Sequence, residues 1–184
     1  MRRFLPLLAA AALTASAAPV AAQSGFALKG HFLYNQSTAE RADRDDELPS
    51  EDGFSLGAEL VLPMNIGVGV SAYANGRARE ADVETQSFGV LAEANYFFDL
   101  PILPITPYAG VHAGLGRFTY EDIGSADPEI EDSRTQLGFQ VGVRWQLTRM
   151  FGIDAQYRRV SDSASDSQSI DLERNQVLVG VTLF

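Results

Sequence analysis

The sequence predicts an all-β fold, an eight-stranded antiparallel up-and-down barrel that crosses a membrane with its strands. Three observations carry this reading. Apolar residues alternate with polar or small ones at a period of two along eight segments, as two-faced strands require. Long polar links alternate with tight turns between those segments. The net charge of the chain beyond its first 22 residues falls entirely in the long links.

The chain opens MRRFLPLLAAAALTASAAPVAAQ, two arginines ahead of an alanine-rich apolar stretch that ends on small residues. This order predicts a signal peptide over residues 1–22, cleaved between Ala22 and Gln23. The stretch is interrupted by Pro6 and Thr14 and is too short for a membrane anchor. Residues 23–184 then form one exported domain, since about 162 residues suit a single domain. With no cysteine in the chain, neither a disulfide staple nor a lipid-modified cysteine is available. No other segment reaches eighteen consecutive apolar residues, so no transmembrane helix is expected in the exported domain.

The strands follow in order. FALKGHFLY sets Phe26, Leu28, Phe32 and Tyr34 against Lys29 and His31. FSLGAELVL sets Phe54 to Leu62 by twos against Ser55, Gly57 and Glu59. IGVGVSAYA opposes Ile66, Val68 and Val70 to Gly67, Gly69, Ser71 and Tyr73, and FGVLAEANYFF opposes Phe88, Val90 and Tyr96 to Gly89, Glu93 and Asn95. PYAGVHAGLG carries Tyr108 and His112 on its polar side. TQLGFQVGVRWQL carries Gln136, Gln140 and Arg144 there, and FGIDAQYR carries Asp154, Gln156 and Arg158. NQVLVGVTL closes the set, with Val177, Val179, Val181 and Leu183 against Leu178, Gly180 and Thr182. Long links run over Ser37–Asp52, Gly76–Glu84, Thr119–Ser133 and Ser161–Leu172; short turns occupy Pro63–Asn65, Asp99–Pro104 and Thr148–Met150. A meander with long links at one end and short ones at the other fits this spacing.

The apolar face is expected to point outward. The opposite face is mostly Gly, Ser, Gln and Asn, and Lys29 is the only lysine, whereas a soluble exterior is coated with charged side chains. Aromatics lie near strand ends at Phe26, Tyr34, Phe54, Tyr96, Phe98, Trp145, Phe151 and Phe184, where a membrane barrel places its girdles. The whole chain carries −10, and loss of the two leader arginines takes it to −12. The links, widened to Ser37–Asp52, Gly76–Glu84, Arg117–Arg134 and Arg159–Arg174, carry −5, −1, −4 and −2, so the wall is neutral. That division suits a bilayer-spanning wall with loops in water.

From about Gly25 to Phe184 the chain resembles the small eight-stranded outer-membrane barrels, the OmpA- and OmpX-like family. The resemblance implies a Gram-negative outer membrane, periplasmic termini and four outward loops, with lipid and lipopolysaccharide around a monomer. It also implies that the outer-membrane insertion machinery reads Phe184 as a C-terminal signal. Here Leu183 shares parity with Val177, Val179 and Val181, and Phe184 does not. A bulge in the last strand, or a missing residue before the end, is expected.

On the inward face, Lys29, Glu59, Glu93, Arg144, Asp154 and Arg158 are candidates for a lumen charge network; the first five lie four to six residues from the short-turn end of their strands. The network is read as a plug rather than a solute gate, because eight strands leave only side-chain room inside. His31 and His112 face the lumen, and His112 has no hydroxyl at the neighbouring outward positions, which argues against a lipid-hydrolase site. No phosphate loop or metal-ligand spacing occurs. The links ERADRDDELPSED and EDIGSADPEIED lack the spacing of a dedicated calcium loop, and their acidity disfavours nucleic acid. The expectation is a protein without cofactor, metal or catalysis, structural or surface-interacting in the envelope. A narrow channel and a lipid-modifying barrel enzyme are the alternatives.

Overall fold

The structure, a computed structural model, describes residues 25–41, 44–47, 50–76, 78–80, 83–100, 103–122, 130–164 and 171–184. The expected signal peptide and its cleavage point lie outside these residues. Among them run β1 (Gly25–Arg41), β2 (Arg44–Glu47), β3 (Glu51–Leu62), β4 (Ile66–Asn75), β5 (Ala78–Glu80), β6 (Val83–Phe97), β7 (Ile105–Asp122), β8 (Ile130–Gln146), β9 (Phe151–Ala164) and β10 (Asp171–Leu183). Eight of these are the staves of a closed antiparallel barrel, with β10 pairing β1. The other two, β2 and β5, are short hairpin arms on β1 and β6 beyond the wall.

The register fixes the barrel's shape. Leu28 pairs with Ala58, Ala58 with Val70, Val70 with Ala92, and Ala92 with Ala113. Ala113 pairs with Leu137, Leu137 with Ser161, Ser161 with Glu173, and Glu173 with Thr38. The circuit thus returns to β1 ten residues above its start. A stagger of ten over eight strands tilts them by roughly 40° and leaves an interior only wide enough for side chains.

Burial alternates along each stave, and the apolar set faces out. Phe54 is 68% exposed and Leu56 70%, whereas Glu59 and Asp154 are at 1% and 0%. This inversion of a soluble core is what a hydrocarbon surround requires. Phe26, Tyr34, Phe54, Tyr96 and Phe98 are exposed on the wall, and Trp145 and Phe151 are half-buried. Edge-to-face contacts join Phe32 to Phe54 at 5.8 Å and Tyr96 to Phe98 at 5.1 Å.

Two expectations change. Strands continue well into the long links, so β1 reaches Arg41, β7 Asp122 and β9 Ala164. Glu51, Arg134, Asp162 and Arg174, counted above with the water-exposed links, point into the lumen and are buried; two acids and two bases, they leave the link charge unaltered. The last strand carries no bulge, since Leu183 pairs with Phe151 and Leu28 in unbroken register. Phe184 continues that ladder by donating its N–H to Met150 O at 3.1 Å. It therefore keeps inward parity and leaves the girdle: its ring lies 5.8 Å from the Arg144 guanidinium.

At the β3–β4 turn, Met64 and Asn65 have φ of 72° and 63°. The link between the paired residues Leu62 and Ile66 has three residues, Pro63, Met64 and Asn65, and the last two supply the left-handed backbone that so tight a reversal uses. Asn tolerates that region; Met does so at a cost.

Candidate functional site

Six inward charges form one chain of alternating sign. Arg144 Nε donates to Asp154 Oδ2 at 3.1 Å and its Nη2 to Glu59 Oε2 at 2.8 Å. Lys29 Nζ lies 3.6 Å from Glu59 Oε1 and donates to Glu93 Oε2 at 2.8 Å. Arg158 Nη2 donates to Glu93 Oε1 at 2.7 Å. The order is Asp154, Arg144, Glu59, Lys29, Glu93, Arg158, so each interior charge is flanked by two of opposite sign. All six are buried, where an unpaired charge would be costly.

Strand geometry explains part of this arrangement. Arg144 and Asp154 are register partners on β8 and β9. The contacts of Arg144 with Glu59 on β3, and of Lys29 on β1 with Glu93 on β6, span the lumen instead.

Further polar side chains complete the chain. Tyr108 donates its hydroxyl to Asp154 Oδ1 at 2.8 Å, and His31 Nε2 meets the same oxygen at 3.1 Å. Ser71 donates to Glu93 at 2.5 Å, and Asn95 donates to Glu59 at 2.9 Å. Gln140 donates to Asn95 at 2.6 Å, and Gln156 to Gln140 at 2.7 Å. Aromatic faces enclose Arg144 at the short-turn mouth, with Phe97 at 4.8 Å and Tyr108 and Phe184 at 5.8 Å, a favourable seat for a guanidinium.

A second polar group stands nearer the long links and was not foreseen in the sequence. Glu51 Oε2 accepts from Asn35 at 3.2 Å, Asn75 at 2.9 Å and Ser87 at 3.0 Å. Arg174 binds Asp162 through two nitrogens, at 2.7 and 3.0 Å, and donates to Tyr73 Oη at 3.0 Å. Gln136 donates to the same hydroxyl at 2.6 Å. Inward parity was the available signal: Glu51 is in phase with Ser55, Asp162 with Arg158, and Arg174 with Gln176.

Inward glycines make room for large neighbours. A Cβ on Gly142 would sit 2.4 Å from Tyr108 Cζ, and one on Gly89 would sit 2.8 Å from the Tyr73 ring. His112 is buried over Gly138, whose Cβ would lie 2.6 Å from its Nε2. Among the described residues, no cluster of His, Cys, Asp and Glu is arranged to hold a metal ion.

The chain matches the family model of the outer membrane protein beta-barrel domain over residues 5–183. It belongs to that family. Membership places the barrel in the outer membrane, and its exposed apolar wall suits a hydrocarbon surround. Solved structures share the fold. Neisserial surface protein A is 17% identical with a TM-score of 0.67, covering 87% of this chain and 97% of its own. Ail, the attachment invasion locus protein of Yersinia pestis, is 20% identical with a TM-score of 0.52, covering 86% and 99%. OprG of Pseudomonas aeruginosa is 13% identical with a TM-score of 0.52, covering 86% and 94%. No curated protein sequence matches the chain.

Proposed function

We propose that this outer-membrane barrel is a monomeric, non-enzymatic protein of the Gram-negative envelope, with a structural and surface-interaction role. One observation carries the proposal: the six-charge chain in the lumen pairs each of its carboxylates with a base. Every one of its acids meets a base within 3.1 Å, so no carboxylate of the chain is free to serve as a nucleophile or general base. The working surface is then the set of long links, which hold the net negative charge. A structure of Ail is known with the heparin analogue sucrose octasulfate; the acidity of the present links repels such a polyanion and favours cationic or cation-bridged partners, including the lipopolysaccharide layer. Cleavage between Ala22 and Gln23, and reading of Phe184 by the insertion machinery, belong to the same proposal.

A deletion strain tests it. Adhesion or envelope integrity should change, and complementation by the full chain should restore it. Uptake of small solutes and the mass profile of lipid A should stay as in the parent. Altered lipid A would establish a lipid-modifying enzyme, and lost uptake a channel; either result would overturn the proposal.

A further inference from the structure

The charge chain is not the only obstacle in the lumen. Leu33, Leu91 and Leu178 are each 0% exposed and form one apolar cluster with Tyr73. Leu33 and Leu178 come from the neighbouring strands β1 and β10, whereas Tyr73 and Leu91 come from β4 and β6. One stave, β3, separates the pairs on one side and three staves on the other, so the cluster reaches across the lumen rather than along one strand pair. The cluster lies between the two polar groups. Along β1 the order is Lys29, His31, Leu33, Asn35; along β6 it is Asn95, Glu93, Leu91, Ser87.

Tyr73 widens this layer. Its ring fills the space above Gly89, and its hydroxyl lies 2.9 Å from where a Cβ on Gly116 would stand. The same hydroxyl is held by Gln136 and Arg174, with the Arg174 guanidinium 5.4 Å from the ring centroid. On β7, next to Leu91's strand, the His112 ring lies over Gly138.

We propose that this apolar septum of Leu33, Leu91, Leu178 and Tyr73, rather than the charge chain, is the barrier that keeps ions from crossing the barrel. A paired carboxylate or guanidinium can exchange its partner for an ion in transit, because each offers an alternative charge or hydrogen bond. Leucine methyls offer an ion nothing in place of its water shell, and a constriction lined by them closes by excluding water. On this assignment the charges hold the staves together and the leucines make the lumen tight. The inference rests on the sealed-barrel reading above.

The test is current through planar bilayers in molar potassium chloride, using the refolded full chain. Four proteins are compared: wild type, Leu33→Ala with Leu91→Ala, Glu93→Gln, and the lipid-facing control Leu56→Ala. A heat-dependent shift on gels confirms that each is folded. Wild type, Glu93→Gln and Leu56→Ala should pass only background current. The double leucine variant should rise roughly tenfold or more above them as its constriction wets. A milder variant, Leu91→Asn, keeps the test open if the double variant fails to fold, and should also raise the current. Steady current through wild type would remove the sealed-barrel reading itself. A silent wild type with current through Glu93→Gln, or with folded leucine variants as silent as wild type, would overturn the septum alone.

Discussion

Arg144 on β8 crosses the lumen to donate to Glu59 on β3 at 2.8 Å, while its Nε holds Asp154 at 3.1 Å. Two buried acids therefore depend on one guanidinium. Arg144→Ala should destabilise the barrel by roughly 3–5 kcal/mol, because it leaves buried Asp154 with only Tyr108 and His31, and buried Glu59 with Asn95 and the more distant Lys29. Urea unfolding in lipid vesicles, followed by the gel shift, measures the loss. Equal stability of the two proteins would mean that lumen water serves Glu59 and Asp154 as well as Arg144 does.

Gly142 tests whether the inward glycines are slots for their neighbours' rings. A Cβ there would sit 2.4 Å from Tyr108 Cζ, and Tyr108 in turn donates to Asp154 at 2.8 Å. Gly142→Ala should cost roughly 1–3 kcal/mol by forcing the ring aside. The same unfolding assay reads it. Gly30→Ala is the comparison: the nearest atom to its added Cβ, a Leu56 side-chain carbon, is 3.6 Å away, so it should be far milder.

Period-two alternation made the staves and the direction of Lys29, Glu59, Glu93, Arg144, Asp154 and Arg158 legible, since parity alone decides which face a strand residue occupies. Parity does not encode reach. The contact of Arg144 with Glu59 follows from the ten-residue stagger, which brings β8 and β3 to one level across a narrow lumen. Glu51, Asp162 and Arg174 were missed for another reason. Their strands continue past the lipid into water, where outward positions such as Asp52, Ser161 and Glu173 are polar and the apolar alternation that marks a strand stops. Leu33 and Leu91 escaped notice because on their own strands they stand between polar inward residues, His31 and Asn35, and Ser87 and Glu93.

The turn at Met64 offers a stabilising change. Its φ of 72° is a region that a residue with a Cβ enters at a cost of about 1–2 kcal/mol. Its side chain is 79% exposed, so little packing would be lost. Met64→Gly should therefore raise stability by roughly 0.5–1 kcal/mol, after allowing for the extra freedom glycine gives the unfolded chain. A lower urea midpoint for this variant would show that the Met side chain contributes more at the turn than its exposure suggests.

Orientation follows from where the charge lies. The long links hold the net negative charge and the short turns are nearly neutral, so the former should lie on the outer surface. Protease added to intact cells should cut within Ser37–Asp52 or Thr119–Ser133. Protection of both until the outer membrane is opened would reverse the assignment.

Phe184 separates two roles that one residue can hold. Its ring lies 5.8 Å from the Arg144 guanidinium, and its N–H is bound to Met150 O, so it helps close the short-turn mouth. Loss of that cation–π contact should cost only about 0.5–1 kcal/mol. A signal read during insertion acts earlier, on the unfolded chain, and leaves no trace in the folded energy. Phe184→Ala should then refold in detergent with nearly wild-type stability, yet reach the outer-membrane fraction of cells severalfold less. Phe184→Tyr keeps an aromatic ring in place and should restore assembly. If Phe184→Ala instead assembles in cells as well as wild type, the ring is a cap on Arg144 and nothing more.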